Sequence, residues 1–336
     1  MTATGEIERA AARIGAGGLV AFPTETVYGL GADAANPDAI GRVFALKGRP
    51  TTNPLIMHVT DESMARGCVE RWPDTAGLLA GAFWPGPLTL VLPRGDRVPD
   101  VVTGGGETVA IRSPDHEVAI ALIEAFGGPI VGPSANPSGY VSPTQAEHVR
   151  SHFGEEDVLV LDGGPCRAGI ESTVVDLASD GRPRVLRRGV IGSGEIAAVL
   201  GIPVGDDNRD SLMAAGRAAS GPPASPGLMG PHYQPRARVL VYRDLGALSA
   251  LLSGVSGHAL VLSPPGLSVG APPPHIVFPM PALPEDYASE FYAALREGDA
   301  CGASVVLVGE PLSGPSPVWL AVRDRLDRAS MRDGDA

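Results

Sequence analysis

The segment that decides the fold is GLVAFPTETVYGLGADAANPDAIGRVFALKG, residues 18–48. It begins with a short apolar run, residues 18–23, that is typical of a buried strand. Residues 38–48 indicate a helix that ends at Gly48, because glycine favours helix C-termini. The Gly- and Thr-containing residues between them are interpreted as a loop. A strand followed by a helix is the basic unit of an α/β sheet.

The same alternation continues outward from this segment. An N-terminal helix is expected to end at Gly17, and residues 116–128 indicate another helix. Further strands are predicted at residues 54–59, 87–93, 107–114, 129–136, 157–164, 171–177 and 184–189. Because the strands are unevenly spaced, we expect a twisted, mixed sheet with helical cover rather than a purely parallel one.

The chain changes character near residue 201. Residues 201–237 are rich in Gly, Pro, Ser and charged side chains and have little periodicity, which is typical of a linker or loop. Strands and helices alternate again from residue 238, and about 100 residues suffice for a small α/β domain. We therefore predict a domain over residues 1–200, an interdomain linker or lid over 201–237, and a second domain over 238–336.

Composition argues against several classes of protein. The formal net charge of −12 gives no overall basic field for nucleic acid, although a local basic groove is compatible with it. No apolar stretch reaches the ~20 residues that a membrane span needs. Cys68, Cys166 and Cys301 are too far apart to suggest a disulfide framework, which fits a reducing cytoplasm. The seven histidines lack metal-ligand spacing, so no metal site is predicted.

Lys47 is the only lysine among the 26 Lys and Arg residues of the chain. Pro50 disfavours helical geometry at Arg49, so Lys47, Arg49 and Asn53 share a short segment that turns out of the helix. An ammonium and a guanidinium side by side suit a polyanion such as a nucleotide triphosphate. The alternative is a helix C-cap, but that role would accept arginine as readily as lysine.

A second polar segment lies at residues 133–149. Ser134 and Asn136 follow a predicted strand, where open α/β sheets bind ligands. Residues 142–145, Ser-Pro-Thr-Gln, match a capping box and predict a helix N-terminus able to bind an anion. Ordinary turn chemistry explains the same residue types, and that alternative stays open.

Two further loops combine glycine with hydroxyl side chains. One carries Thr24 and Thr26, and the other spans residues 164–176. Neither matches the Walker A or dinucleotide-binding fingerprint, and the chain has no GxSxG nucleophile motif. The residues alone therefore indicate nucleotide handling in an unusual cleft.

Six motifs occur in a fixed order along the first domain. They are FPTETVYGLGADA (22–34), KGRPTTNPLIMHV (47–59), FWPGPLTLVLP (83–93), TVAIRSPDH (108–116), GPSANPSGYVSPTQAEHV (132–149) and GIESTVVD (169–176). Together they closely resemble the YrdC-like family, the threonylcarbamoyl-AMP synthases, over roughly residues 6–195. The remainder is similar to the long form of that enzyme, in which a linker ending here in SPGLMGPHYQP (225–235) leads to a small Rossmann-like α/β domain.

This resemblance implies a nucleotidyltransferase. L-threonine, bicarbonate and ATP would give L-threonylcarbamoyl-AMP and pyrophosphate. That product is the donor for N6-threonylcarbamoyladenosine (t6A) at position 37 of tRNA. Later enzymes of the pathway would make the transfer, so any contact of this chain with tRNA is expected to be weak or indirect.

The resemblance also implies the site residues. The family's catalytic set falls on Lys47, Arg49, Ser134 and Asn136. The threonine-binding set falls on Thr26, His58, Arg112 and Ser172, with Arg112 holding the carboxylate. The ATP-binding set falls on Arg49, Asn53, Thr108, Ser134, Asn136, Ser142, Arg187 and Tyr233.

A lid and a metal ion complete this expectation. Tyr233 in the linker would fold over the nucleotide and keep water from the labile product. Mg²⁺ would arrive with ATP, held largely by phosphates and water. One departure is that residues 228–231 replace basic residues that the family carries before the His-Tyr pair, and His232 or Arg236 would have to compensate for that loss of charge.

Two other functions stay open on the sequence. A carbamoyl-adenylate-forming module, as in hydrogenase maturation factors, would be preceded by an acylphosphatase-like segment and zinc-finger cysteines, which this chain lacks. An RNA-binding protein could use the cleft as a docking surface, but the acidic net charge argues against tight binding.

Overall fold

The computed structural model describes residues 3–179, 182–206, 232–267, 269–311, 314 and 316–331. These residues contain two sheets covered by helices. One is formed by the chain before residue 207 and the other by the chain after residue 231. Residues 207–231 make up most of the predicted linker and lie outside the described part of the chain. None of the described helices is long and apolar enough to cross a membrane.

The chain begins with a helix and a β-hairpin. Helix α1, Ala3–Gly15, ends two residues before the predicted end at Gly17. Strand β1, Leu19–Phe22, pairs antiparallel with β2, Gly29–Asp33. The prediction of a loop at Gly29 and Gly31 was therefore wrong. Glycine is needed in this strand because the Phe22 ring lies over it: a Cβ added at Gly29 would come within 2.7 Å of Phe22 Cζ.

The large sheet has ten strands and contains both parallel and antiparallel pairs. The strands after the hairpin are β3 Ile56–His58, β4 Leu88–Pro93, β5 Thr108–Arg112, β6 Ile130–Val131, β7 Val158–Val160, β8 Thr173–Asp176, β9 Arg184–Arg187 and β10 Gly205–Asp206. Their spatial order is β10-β9-β8-β4-β5-β3-β6-β2-β1-β7. Every strand predicted in this region is present, and the mixed sheet is confirmed.

Helices connect and cover these strands. They are α2 Pro37–Lys47, α3 Glu62–Arg66, α4 Asp74–Phe83, α5 Asp100–Thr103, α6 Glu117–Phe126, α7 Ala146–Arg150 and α8 Ser193–Leu200. Helix α2 ends as predicted, since Gly48 adopts the left-handed conformation that closes a helix.

The capping box predicted at residues 142–145 is not formed. Helix α7 starts three residues later than the predicted first helical position, and its N-cap, Gln145, makes no side-chain capping bond. The Ser142 hydroxyl donates instead to Glu171 Oε1, at 2.7 Å. A partner 29 residues away in the sequence has replaced the local one.

The second sheet is parallel throughout and has the order β11-β14-β12-β13. Its strands are β11 Arg238–Tyr242, β12 Ala259–Ser263, β13 Ile276–Pro279 and β14 Val305–Gly309, and its helices are α9 Leu245–Ser253, α10 Pro284–Ala300 and α11 Pro317–Ser330. Strand β13 was not predicted. The arrangement agrees with a Rossmann-like second domain.

One apolar cluster joins the two sheets. Val27, Val141 and Ile170 of the first domain pack in the same buried cluster as Tyr287 and Phe291 of helix α10. Polar contacts reinforce this interface, because the buried Arg296 donates to the backbone carbonyls of Val141 and Ser142. The second domain is thus packed directly against the segments that carry the predicted site residues.

Candidate active site

A cavity lies between the large sheet and the start of the second domain. Its wall combines residues from five motifs of the first domain and Arg187 with two residues from the end of the predicted linker. It is lined by Thr24, Thr26, Val27, Gly29, Arg49, Ile56, His58, Arg112, Gly132, Pro133, Ser134, Glu171, Ser172, Arg187, His232 and Tyr233. The fold therefore brings together segments that are more than 200 residues apart in sequence.

Lys47 ties two of these segments together. Its Nζ donates to the backbone oxygens of Ser134 and Asn136, both at 2.5 Å. The side chain is buried, and burial, followed by the charge of Arg49, lowers the pKa of its ammonium. Lys47 itself lies outside the cavity wall. It holds the turn at residues 134–136 against the end of helix α2.

Arg49, two residues after Lys47, lines the cavity. Its guanidinium donates to the backbone oxygens of Asn53 and Pro54, at 3.3 and 2.9 Å, which closes the loop after helix α2. Burial, followed by the nearby guanidinium of Arg187, lowers the pKa of Arg49 to about 10. Two cations thus share one wall with Ser134 and Tyr233, and we call this wall the Arg49 half.

A second group of lining residues, which we call the Arg112 half, contains Thr26, His58 and Arg112. His58 and Arg112 are partners in register at the ends of the parallel strands β3 and β5, which places both at one edge of the sheet. Arg112 donates to Thr26 Oγ1 at 2.8 Å and forms a buried ion pair with Glu25. The guanidinium charge on this side is therefore already compensated.

His58 is held neutral in this half. Its ring makes an edge-to-face contact with Phe22, with centroids 5.4 Å apart. Burial, followed by the charge of Arg112, lowers its pKa to about 3. Its Nδ1 has no hydrogen-bond partner among the described residues. A buried polar atom in a cavity wall usually meets a ligand or water.

Ser172 also lines the cavity and contacts Arg187. Its hydroxyl bonds with Thr89 Oγ1 at 2.8 Å and accepts from Arg187 at 3.0 Å, while Arg187 Nε donates to the Ser172 carbonyl. Arg187, the last residue of strand β9, is thus held by the residue that immediately precedes strand β8. Ser172, a member of the predicted threonine-binding set, thus contacts a member of the predicted ATP-binding set.

Comparison with known proteins gives the family. Residues 12–189 match the family model described as Telomere recombination, which groups Sua5, YciO and YrdC sequences. Residues 191–331 match the one described as Threonylcarbamoyl-AMP synthase, C-terminal domain. The threonylcarbamoyl-AMP synthase of Pyrococcus abyssi is 40% identical over 331 residues, which cover 97% of this chain and 94% of that protein. The chain belongs to the threonylcarbamoyl-AMP synthase family.

Other members agree in sequence and in structure. The threonylcarbamoyl-AMP synthase of Bacillus subtilis is 46% identical over 237 residues, which cover 70% of this chain and 66% of that protein. The crystal structure of P. abyssi Sua5 complexed with L-threonine superposes with a TM-score of 0.84 at 38% identity, covering 96% of this chain and 94% of that one. The match therefore includes both domains of the synthase fold.

The predicted residues fall in three positions in this synthase. Eight of them line the cavity: Thr26, Arg49, His58, Arg112, Ser134, Ser172, Arg187 and Tyr233. Lys47 and Asn136 lie directly behind the wall. Asn136 donates to the carbonyls of Pro137 and Tyr140, and its Oδ1 is buried without a partner among the described residues. Asn53, Thr108 and Ser142 lie farther back, outside the wall.

Two carboxylates were missed. Glu25 compensates Arg112, and Glu171 lines the cavity beside Ser172. Glu25 precedes Thr26 in the motif of residues 22–34, and Glu171 precedes Ser172 in the motif of residues 169–176. The signal that could have identified them is an acidic residue within a largely apolar, Gly-containing motif. No group of three or more His, Cys, Asp or Glu residues suited to a metal ion occurs in the described part of the synthase.

Proposed function

We propose that this chain forms L-threonylcarbamoyl-AMP from L-threonine, bicarbonate and ATP and releases pyrophosphate. The observation that carries this proposal is the cavity with two electrostatically different halves. The Arg49 half presents excess positive charge from Arg49 and Arg187, which suits the phosphates of a nucleotide. The Arg112 half presents a compensated guanidinium, a hydroxyl and a neutral imidazole, which suits a zwitterionic amino acid.

The chemistry begins at the amino group of threonine. Its nitrogen forms a bond to the carbon of bicarbonate, and loss of water leaves N-carboxy-threonine. An oxygen of the new carboxylate attacks the α-phosphorus of ATP in line, and the bond to the pyrophosphate oxygen breaks. Negative charge that develops on the phosphates is stabilised by cations fixed before the reaction begins.

The structure refines the part that Lys47 plays in this proposal. Two of its three N–H groups are used by the carbonyls of Ser134 and Asn136, so Lys47 first fixes the turn that presents Ser134. The Arg49 guanidinium would contact the triphosphate, whereas Lys47, which lies outside the cavity wall, would act through the turn that it fixes. Mg²⁺ accompanies ATP in this proposal and is held mainly by phosphate oxygens and water.

Tyr233 provides a cover for the product. It is buried, lines the cavity and belongs to the end of the predicted linker. A mixed anhydride hydrolyses readily, so a site that excludes water protects it until release. Later t6A-pathway enzymes in the cytoplasm then transfer the threonylcarbamoyl group to tRNA.

A pyrophosphate-release assay with single omissions tests the proposal. With ATP, L-threonine, bicarbonate and Mg²⁺ present, pyrophosphate should form together with a product whose mass equals threonylcarbamoyl-AMP. Omission of threonine or bicarbonate should stop both signals. Pyrophosphate release that continues without threonine, or no release with all substrates present, would contradict the proposal.

A further inference from the structure

Arg325 is a fully buried charged residue of the second domain. It lies on helix α11 and has 0% exposure. Its Nε donates to Glu171 Oε2 at 3.1 Å, and its Nη1 donates to the backbone oxygen of Arg188. A buried charge is tolerated only with partners. Asp324 of the same helix lies 3.4 Å from Nη1, but the carboxylate of Glu171 and the carbonyl of Arg188 belong to the first domain. The second domain thus inserts a guanidinium behind the cavity wall.

Glu171 is the residue that receives this guanidinium. Its Oε1 accepts from Ser142 of the first domain, whereas Oε2 accepts from Tyr292 and Arg325 of the second. Burial alone would raise its pKa, but the charges of Arg325 and Arg187 outweigh burial and lower the pKa to about 2. The carboxylate therefore stays charged, and half of its bonding depends on the second domain.

The position of the Tyr233 ring depends on the same two residues of the second domain, Tyr292 and Arg325. Its ring stacks on Tyr292, with centroids 5.4 Å apart, and the Arg325 guanidinium lies 5.9 Å from its centroid. Its backbone φ is +64°. Among the described residues, Tyr233 is the only non-glycine residue with a positive φ. A bulky residue keeps such a conformation only when its surroundings over-determine it. Tyr292 and Arg325 supply part of those surroundings.

We propose that Arg325 is a positioning residue for the nucleotide, through which the second domain sets Glu171 and Tyr233 in the Arg49 half of the cavity. This inference rests on the proposed function, since it assigns that half to ATP. It gives the second domain a direct part in substrate binding. The contacts of Thr26, His58 and Arg112 involve neither Arg325 nor Tyr292, so the Arg112 half is independent of this support.

A set of variants with two binding measurements tests the inference. The dissociation constants of ATP and of L-threonine are measured by calorimetry on the full chain, together with the melting temperature. Arg325→Met should weaken ATP binding by roughly tenfold, a coupling of the usual size between linked sites. Threonine binding should change by much less, because its half of the cavity is intact.

Two further variants separate positioning from folding. Arg325→Met combined with Glu171→Gln removes both buried charges and should recover most of the melting temperature, while ATP binding stays weak because Tyr233 still lacks its cation. Arg325→Lys retains the charge and should lose less ATP affinity than Arg325→Met. The matched control is Arg296→Met, which deletes another buried guanidinium of the same interface and should lower the melting temperature with little change in ATP affinity.

The outcomes distinguish this inference from the proposed function. If the wild-type chain binds neither ATP nor threonine, the proposed function fails. If it binds both but the folded Arg325 variants keep wild-type ATP affinity, only the positioning role fails. The role also fails if ATP and threonine binding weaken equally in the Arg325 variants.

Discussion

The two halves of the cavity place arginine in different electrostatic states. In the Arg112 half, a carboxylate, Glu25, neutralises the guanidinium inside the protein. In the Arg49 half, the bonds of Arg49 go to the neutral carbonyls of Asn53 and Pro54, and a second cation, Arg187, lies nearby. A guanidinium held by neutral groups keeps its full attraction for an incoming anion. The comparison therefore indicates that the Arg112 half orients a ligand, whereas the Arg49 half neutralises the negative charge of a ligand.

The largest effect is expected from Arg49→Gln. Loss of a fixed cation at the phosphates should reduce kcat/KM for ATP by about 10³-fold, or roughly 4 kcal/mol of transition-state stabilisation. Steady-state pyrophosphate release measures it. The control is Arg94→Gln, which removes an arginine paired with Asp100 outside the cavity and should leave turnover unchanged. A loss below tenfold for Arg49→Gln would remove the electrostatic distinction between the halves.

Glu25→Gln probes the other half. It leaves the buried Arg112 charge uncompensated and should lower the free energy of unfolding by about 3 kcal/mol, as measured in urea. The KM for ATP should stay near its wild-type value. Arg184→Gln is the control, because the Arg184–Asp176 pair is partly exposed, with Arg184 at 32%, and its loss should cost under about 1 kcal/mol. Equal losses in the two variants would mean that Glu25 does not neutralise Arg112.

Lys47→Arg tests the connection between helix α2 and the Arg49 half. The charge is retained, but a planar guanidinium cannot take the place of an ammonium between the carbonyls of Ser134 and Asn136. Turnover should fall about 30-fold, which corresponds to about 2 kcal/mol. The reverse exchange, Arg42→Lys on the exposed face of the same helix, should be neutral. Near-normal turnover of Lys47→Arg would contradict the role given to Lys47.

Local signals in the sequence predicted much of this arrangement. The glycine after the single lysine correctly predicted the end of helix α2. Short apolar runs correctly predicted strands β1 and β3. The family resemblance then named eight of the sixteen residues that line the cavity. Their roles in binding stay predictions until ligands are measured. Local chemistry was sufficient wherever a residue's partner lies nearby in the chain.

The errors occurred where partners are distant. Strand β2 was missed because its glycines argue against a strand, and only the Phe22 ring across the hairpin explains them. The capping box failed because Ser142 bonds with Glu171 rather than with its own helix. The Arg325–Glu171 pair joins residues 154 positions apart. No local pattern encodes such a contact, and the packing of the second domain decides it.

The smallest effect concerns pH and returns to the Arg112 half. The pKa of His58 in the folded chain, about 3, lies below its ordinary value of 6.5, so the unfolded chain binds more protons between these values. Stability is therefore lost as the pH falls below 6.5 toward 3. Between pH 7 and pH 5.5 the contribution of His58 alone should be about 1 kcal/mol.

His58→Gln isolates that contribution. Urea unfolding of the wild type and the variant at both pH values should show a smaller loss on acidification in the variant. His148, His152 and His232 also have lowered pKa values, but they are present in both proteins and cancel in the difference. Equal losses would mean that the imidazole accepts a proton in the folded protein. The Arg112 half would then carry a second cation at mildly acidic pH, and its contrast with the Arg49 half would hold only near neutrality.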